Sequence, residues 1–157
     1  MNKIDFNKYD LFIVDFDGTI VEDAYPSIGK KRPFAISTLK SLIADRHKLI
    51  LWTVREGELL DEAVEWCRSR GVEFYAINRD YPEEEAANNN HFTRKLKVDL
   101  FIDDRNLGGL PDWGTIYSMV SHKLSFEDYY SNEDRSEFGG KRDSKKKRGG
   151  LFGLLKM

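Results

Sequence analysis

A length of 157 residues fits one domain that can bury a hydrophobic core without disulfides or a structural metal. Hydrophobic residues make up 40% and charged residues 33% of the chain, a balance that argues against a disordered or membrane-spanning protein. The single cysteine excludes an internal disulfide, and the N-terminus lacks the apolar stretch of a signal peptide. We therefore expect a cytoplasmic protein.

The formal net charge of -2 hides an asymmetry along the chain. From Gly139 to Met157, seven basic residues accompany a single acid, so the rest of the chain is strongly acidic. Such a body is not expected to bind nucleic acid. We predict a folded domain over residues 1–138 and a basic, disordered tail over residues 139–157, which we expect to be solvated, with contact to an anionic membrane surface as the alternative.

Apolar runs and helical patterns alternate in the first half of the chain. The first run ends in Asp15-Phe16-Asp17-Gly18-Thr19, which reads as a buried strand followed by a polar turn. Pro33 suits the first position of a helix, and Gly71 suits the left-handed end of another. The predicted elements are a strand at residues 11–14, a helix at 33–43, a strand at 49–52 and a helix at 59–70.

The second half continues the alternation with weaker signals. An acidic segment rich in asparagine predicts a loop, and a later apolar run leads directly into Asp103-Asp104. The predicted elements are a strand at residues 72–77, a loop at 78–91, a strand at 98–102, a strand at 114–119 and a short helix at 125–130.

This alternation predicts an α/β fold with a mostly parallel sheet. Parallel sheets bind ligands beyond the carboxyl ends of their strands, so the polar residues that follow the strands should meet at one edge. Four carboxylates gathered there would repel each other and need a cation, and an oxygen-only ligand set favours Mg²⁺ and phosphate chemistry. The residues predicted to meet are Asp15, Asp17, Thr53, Arg55, Asp103 and Asp104.

With these residues in place, the sequence resembles the haloacid dehalogenase superfamily of hydrolases over residues 10–120. Its first motif, D-x-D-x-T after a buried strand, is matched by Asp15-Phe16-Asp17-Gly18-Thr19. Its second motif is matched by Thr53, its third by Lys95 and its fourth by Asp103-Asp104. The resemblance implies a three-layer, Rossmann-like fold and a Mg²⁺-dependent phosphatase.

The resemblance also implies a role for each matched residue. Asp15 would attack phosphorus and form an aspartyl-phosphate, and Asp17 would serve as general acid and base while its backbone carbonyl binds the metal. Thr53 and Lys95 would hold the phosphate, with Arg94 and Lys97 as weaker alternatives to Lys95. Asp104 is favoured as a direct metal ligand, with Asp103 in the outer shell. Arg55 could contact phosphate or pair with an acid such as Glu56 or Asp104.

Many members of the superfamily carry a cap domain, but the gaps between the motifs here are too short for one. We therefore predict a capless enzyme whose open cleft takes a phosphorylated macromolecule, or a small substrate enclosed by a second subunit of a homo-oligomer. A non-catalytic or regulatory module that binds phosphate and Mg²⁺ is the main alternative. A receiver domain is disfavoured because its acidic pair precedes the phosphorylated aspartate on a different strand.

Overall fold

The computed structural model describes residues 11–84, 95–125 and 127–131, and the chain divides into two compact units, residues 1–124 and 125–157. The first unit contains a four-stranded sheet in the order β3-β2-β1-β4, with every neighbouring pair parallel. The strands are β1 (Leu11–Val14), β2 (Lys48–Leu51), β3 (Ala76–Ile77) and β4 (Leu100–Ile102), and the helices are α1 (Ala35–Ala44), α2 (Gly57–Arg68) and α3 (Trp113–Ser121).

Strand β1 lies in the middle of the sheet and is buried on both faces. Phe12 and Val14 belong to the same core cluster as the buried residues of all three helices. Ile13 belongs to a second cluster with Ile50 and Leu96. Burying each of these side chains contributes roughly 1.5–3 kcal/mol relative to leaving it exposed, so β1 anchors the fold on both faces of the sheet.

This architecture confirms the predicted α/β class and agrees with the predicted Rossmann-like, three-layer arrangement. β1 was predicted to the residue, and the predictions for β2 and β4 differ from the structure by one or two residues at their ends. The buried hydrophobic residues of α1 and α2 belong to one core cluster, as expected for right-handed crossovers between strands β1, β2 and β3 that follow each other in one direction. The absence of a cap domain stays a prediction.

The strand predicted at residues 114–119 is wrong, because these residues lie in helix α3. Its buried side chains are Trp113, Ile116 and Val120, at the spacing of one helical face. Asp112 caps the helix, since its carboxylate accepts a hydrogen bond from the backbone N–H of Thr115 at 3.0 Å. The short apolar run fits a strand equally well, and the cap decides between the two.

Other predicted boundaries move for local reasons. Helix α1 begins at Ala35 and not at Pro33, because Phe34 has a left-handed backbone with a φ of 62°. The strand predicted at residues 72–77 shrinks to its last two residues, because the backbone N–H of Val72 bonds to the carbonyl of Cys67 and continues the end of α2. Helix α2 ends at Arg68, before the positive φ of Gly71.

In the second unit, residues 127–131 form one helical turn, as predicted for this region. Ser125 caps it by accepting a hydrogen bond from the backbone N–H of Asp128 at 3.0 Å. The predicted boundary at residue 138 and the predicted basic tail lie outside the described residues. Among the described helices, none has the length and apolar content to cross a membrane.

Replacing Asp112 with Ala should lower the free energy of unfolding by about 1 kcal/mol, because the first turn of α3 loses its cap. Asp112→Asn retains a side-chain oxygen that can accept the same hydrogen bond and should cost less. Urea denaturation of the three proteins measures the difference. Equal stability of the Asp112→Ala variant and the wild type would show that the cap does not stabilise α3.

Candidate active site

The candidate site lies where the order of the strands reverses. β1 pairs with β2 on one side and with β4, the last strand among the described residues, on the other. Val14 is the register partner of Ile102, so Asp15 and Asp103 are the next residues of two neighbouring strands. The backbone N–H of Asp15 also donates to the carbonyl of Ile102 at 3.0 Å. Ligands of open parallel sheets bind at such a switch point.

Three carboxylates converge at this point. Asp15, Asp103 and Asp104 each offer an oxygen, and these oxygens lie within 4.8 Å of one another. The pKa of Asp15 is raised to about 7, chiefly by burial and further by the negative charges of Asp103 and Asp104. Hydrogen bonds from the backbone of Phe16 and the hydroxyl of Thr19 act in the opposite direction. The cluster thus concentrates more negative charge than its own hydrogen bonds neutralise.

Thr19 connects the carboxylates of the two strands. Its hydroxyl donates to Oδ2 of Asp15 at 3.2 Å, with Oδ1 of Asp104 at 3.5 Å as the longer alternative. The same oxygen accepts from the backbone N–H of Asp104 at 3.0 Å. The indole of Trp113 donates to the Thr19 carbonyl at 3.0 Å, so the fully buried Thr19 is held from the helix layer as well.

Gly18 allows the turn after β1 to approach Asp104 closely. Its φ of +84° belongs to the left-handed region, which other residues rarely adopt. A Cβ added at this position would collide with the carboxylate of Asp104. The turn between Asp17 and Thr19 therefore needs glycine both for its backbone shape and for the space that Asp104 occupies.

Asp17 faces a different partner from Asp15. Its two oxygens accept hydrogen bonds from Nε and Nη2 of Arg55 at 2.7 and 2.8 Å. The Arg55 side chain is fully buried, and the bond to Asp17 raises the pKa of its guanidinium further. The prediction that Arg55 could pair with an acid is confirmed, but Glu56 and Asp104 were the wrong acids. Asp17 was predicted to lie at the same edge of the sheet, but not as the partner of Arg55.

The proposed phosphate-binding residues, Thr53 and Lys95, have contacts with residues other than the three carboxylates. The backbone N–H of Thr53 donates to Asn78 at 2.8 Å, and its hydroxyl oxygen accepts from the backbone N–H of Arg55 at 3.2 Å. The Thr53 hydroxyl proton is therefore not used in that contact. Lys95 is exposed, and its ammonium lies 5.9 Å from the centre of the Phe101 ring on β4.

The carboxylate cluster could hold a divalent cation. Its donors are all oxygens, and the pKa of Asp15 is raised chiefly by burial and further by the charges of Asp103 and Asp104. Hard cations such as Mg²⁺ take oxygen ligands of this kind. The three residues therefore fit the metal that the sequence implies. The side chain of Asp17 is outside the cluster, whereas its predicted metal contact uses the backbone carbonyl.

The supporting roles of three residues were not predicted from the sequence. Thr19 was recognised within its motif but not as the link between Asp15 and Asp104. Asn78, which holds the backbone of Thr53, was read as part of a loop. Arg55 was left without a definite partner. Its position two residues after Thr53 was the available signal, since it placed Arg55 at the same edge of the sheet.

In the metal-free protein, ionisation of Asp15 should lower the free energy of unfolding as the pH rises. The folded carboxyl has a pKa of about 7 and the unfolded one about 3.9, so between these values only the folded state holds the proton. Asp15→Asn should therefore exceed the wild type in unfolding free energy by about 1–2 kcal/mol at pH 8, after allowance for solvent screening. The difference should vanish near pH 4.

Urea denaturation in chelator at the two pH values measures this effect. Asp61→Asn, which neutralises an exposed carboxylate on α2, is the matched control and should leave the pH dependence of the wild type unchanged. An Asp15→Asn protein that is less stable than the wild type at pH 8 would contradict the electrostatic interpretation.

Comparison with known proteins identifies a homologous structure of a conserved protein from Bacteroides thetaiotaomicron. The two sequences are 63% identical, the match covers 78% of this chain and 98% of that chain, and the TM-score is 0.72. No protein-family model matches the sequence, and no curated protein matches it. Since nearly the whole of the Bacteroides protein is matched at this identity, the chain belongs to the same family as that conserved protein.

Proposed function

We propose that the protein is a Mg²⁺-dependent phosphate monoester hydrolase of the haloacid dehalogenase type that acts through an aspartyl-phosphate on Asp15. The observation that carries the proposal is the convergence of Asp15, Asp103 and Asp104 at the switch point of the sheet, joined by Thr19. Its substrate would be a phosphorylated small molecule or macromolecule, and its location the cytoplasm.

Asp15 would be the nucleophile. An oxygen of its carboxylate bonds to phosphorus while the bond from phosphorus to the leaving oxygen breaks. The oxygen of a water molecule then bonds to phosphorus, the bond to Asp15 breaks, and phosphate leaves. Thr19 supports this role because its hydroxyl bonds to one oxygen of Asp15 and so orients the carboxylate.

Asp17 would act as the general acid in the first step and as the general base in the second. It gives a proton to the leaving oxygen in the first step and takes one from the attacking water in the second. In the structure both of its oxygens bind Arg55, which holds the carboxylate in one orientation. Proton transfer from Asp17 to the leaving group would therefore depend on the contact with Arg55.

Thr53 and Lys95 would bind the oxygens of the phosphate. The Thr53 hydroxyl accepts one hydrogen bond from the backbone of Arg55 and can donate another to the substrate. Lys95 would supply positive charge that offsets the repulsion between Asp15 and the phosphate. Asp15, Asp103, Asp104 and the carbonyl of Asp17 would hold Mg²⁺. When bound, the metal neutralises negative charge between these carboxylates and the phosphate.

The purified protein should hydrolyse p-nitrophenyl phosphate in a reaction that chelator abolishes and added Mg²⁺ restores. The reason is that the carboxylate cluster needs a cation before it can accept a phosphate dianion. Release of nitrophenolate measures the rate, and Asp61→Asn serves as the control for substitution of an acid outside the site. Full activity in excess chelator would contradict the role of the metal.

Asp15→Asn should lower turnover by about 10⁴-fold or more, because the amide keeps the shape of the side chain but is not a nucleophile.

In the wild type with Mg²⁺, beryllium fluoride should form a complex at Asp15 that mimics the aspartyl-phosphate. A wild type that binds inorganic phosphate and Mg²⁺ by calorimetry, yet turns over no member of a panel of phosphate esters, would instead identify the non-catalytic binding module.

A further inference from the structure

Arg55 has an unusual number of partners for one buried side chain. Only 1% of its surface is exposed, and the residue lies in the turn between β2 and α2. Besides its two bonds to Asp17, Nη1 donates to the carbonyl of Pro26 at 3.0 Å and Nη2 to the carbonyl of Ser27 at 2.9 Å. The rigid fork of the guanidinium thus joins one carboxylate to two backbone carbonyls of a single loop.

The loop that carries these carbonyls connects β1 to α1. Its base is fixed, because the backbone N–H of Glu22 donates to the carbonyl of Lys30 at 2.8 Å and that of Arg32 donates to the carbonyl of Ile20 at 3.0 Å. Residues 22–27 are exposed to solvent. We call residues 23–28 the loop tip. Arg55 is the side chain that joins this exposed tip to Asp17.

Aromatic rings enclose the same contact. The guanidinium carbon of Arg55 lies 5.1 Å from the centre of the Phe16 ring and 5.4 Å from that of Tyr25. Phe16 is fully buried beside Asp17, whereas 52% of the Tyr25 surface is exposed at the loop tip. Arg55 therefore lies close to the Tyr25 side chain of the loop tip and also binds two backbone carbonyls of the loop tip.

We propose that Arg55 is a positioning residue that links the Asp17 carboxylate to the loop tip and so fixes its orientation. Through this link, the loop tip controls how the Asp17 carboxylate is placed relative to the leaving group of the substrate. This inference rests on the proposed function, in which Asp17 exchanges protons with the leaving group and the water. It makes the loop tip the element that discriminates among leaving groups, although the tip supplies neither the nucleophile nor the metal ligands.

A purely structural role for Arg55 leads to a different expectation. If the ion pair only stabilised the fold, its loss would slow the hydrolysis of all substrates by a similar factor. If it positions Asp17, its loss should matter most where proton transfer matters most, which is with leaving groups of high pKa. The dependence of kcat/KM on the leaving group separates the two roles, because kcat/KM reports only the step in which the leaving group departs.

The test uses a series of aryl phosphates whose leaving groups differ in pKa, assayed with Mg²⁺ on the full-length chain. The variants are Arg55→Gln, Arg55→Lys, Asp17→Asn and the double variant Arg55→Gln/Asp17→Asn. Lysine keeps the charge but cannot reproduce the forked contact. Arg68→Gln is the matched control, because it removes an exposed arginine that pairs with Glu65 at 3.0 Å on α2.

With the poorest leaving group, Arg55→Gln and Arg55→Lys should lower kcat/KM by about 10²-fold, as for loss of general acid catalysis. With the best leaving group, the loss in kcat/KM should be far smaller, because kcat/KM reports only the formation of the aspartyl-phosphate and not the attack of water that all substrates share. The double variant should be no slower than Asp17→Asn. An equal loss across the series, or losses from Arg55 and Asp17 that multiply, would overturn the proposal.

Hydrogen exchange tests the coupling without any turnover. Asp17→Asn and Arg55→Lys should both speed exchange in the segment 22–32, while Arg68→Gln should not. Unchanged exchange in Asp17→Asn would refute the link between the loop tip and Asp17. A wild type that hydrolyses no phosphate ester would contradict the proposed function. The hydrogen-exchange result would still decide whether Arg55 couples Asp17 to the loop tip. Arg55→Lys keeps the test decisive if Arg55→Gln fails to fold.

Discussion

Repulsion among the carboxylates of Asp15, Asp103 and Asp104 is the constraint on which this end of the sheet depends. β1 and β4 are hydrogen bonded up to the residues before these acids, so the sheet holds the backbones of Asp15 and Asp103 close together. Two unit charges 4 Å apart interact by about 4 kcal/mol at an effective dielectric constant of 20. The pKa of Asp15 is raised chiefly by burial and further by these charges, although Thr19 donates a hydrogen bond to its carboxylate. A bound cation would offset much of the repulsion, which supports the proposed Mg²⁺ site.

Arg55 limits the same repulsion by withdrawing Asp17 from the cluster. Asp15 and Asp17 are two residues apart, and an unpaired Asp17 carboxylate would add a further negative charge close to the other acids. The forked contact with Arg55 instead orients Asp17 towards the loop between β1 and α1. The D-x-D-x-T segment thereby presents its first carboxylate to the cluster and its second to the loop. Two acids of one short motif acquire different surroundings, which is the arrangement that lets similar groups take different chemical roles.

The accuracy of the sequence predictions follows from which physical signal each element carries. β1 could be predicted to the residue, because a strand buried on both faces must be apolar throughout and polar residues mark its end. The prediction of a strand in place of helix α3 was wrong, because an apolar run within a nine-residue segment does not distinguish a helix from a strand and a capping aspartate is a weaker signal than periodicity. Asp15, Asp103 and Asp104 could be brought together from sequence, because parallel register alone aligns the ends of β1 and β4. Arg55 and Asp17 could be placed at the same edge in this way, but not identified as partners, because both lie in turns beyond the paired strands, where the register no longer determines which side chains meet.

Stability alone does not account for the arginine at position 55. A buried ion pair costs desolvation that its Coulomb attraction only partly offsets, and a well-packed apolar pair of similar size often stabilises a protein as well or better. The guanidinium carbon already lies 5.1 Å from the centre of the buried Phe16 ring, so this side of Arg55 could contact an apolar side chain. What an apolar side chain cannot do is fix the orientation of a carboxylate and bind two carbonyls of a loop at the same time. The forked contact therefore makes sense if the orientation of Asp17 matters to the chemistry at the neighbouring carboxylates.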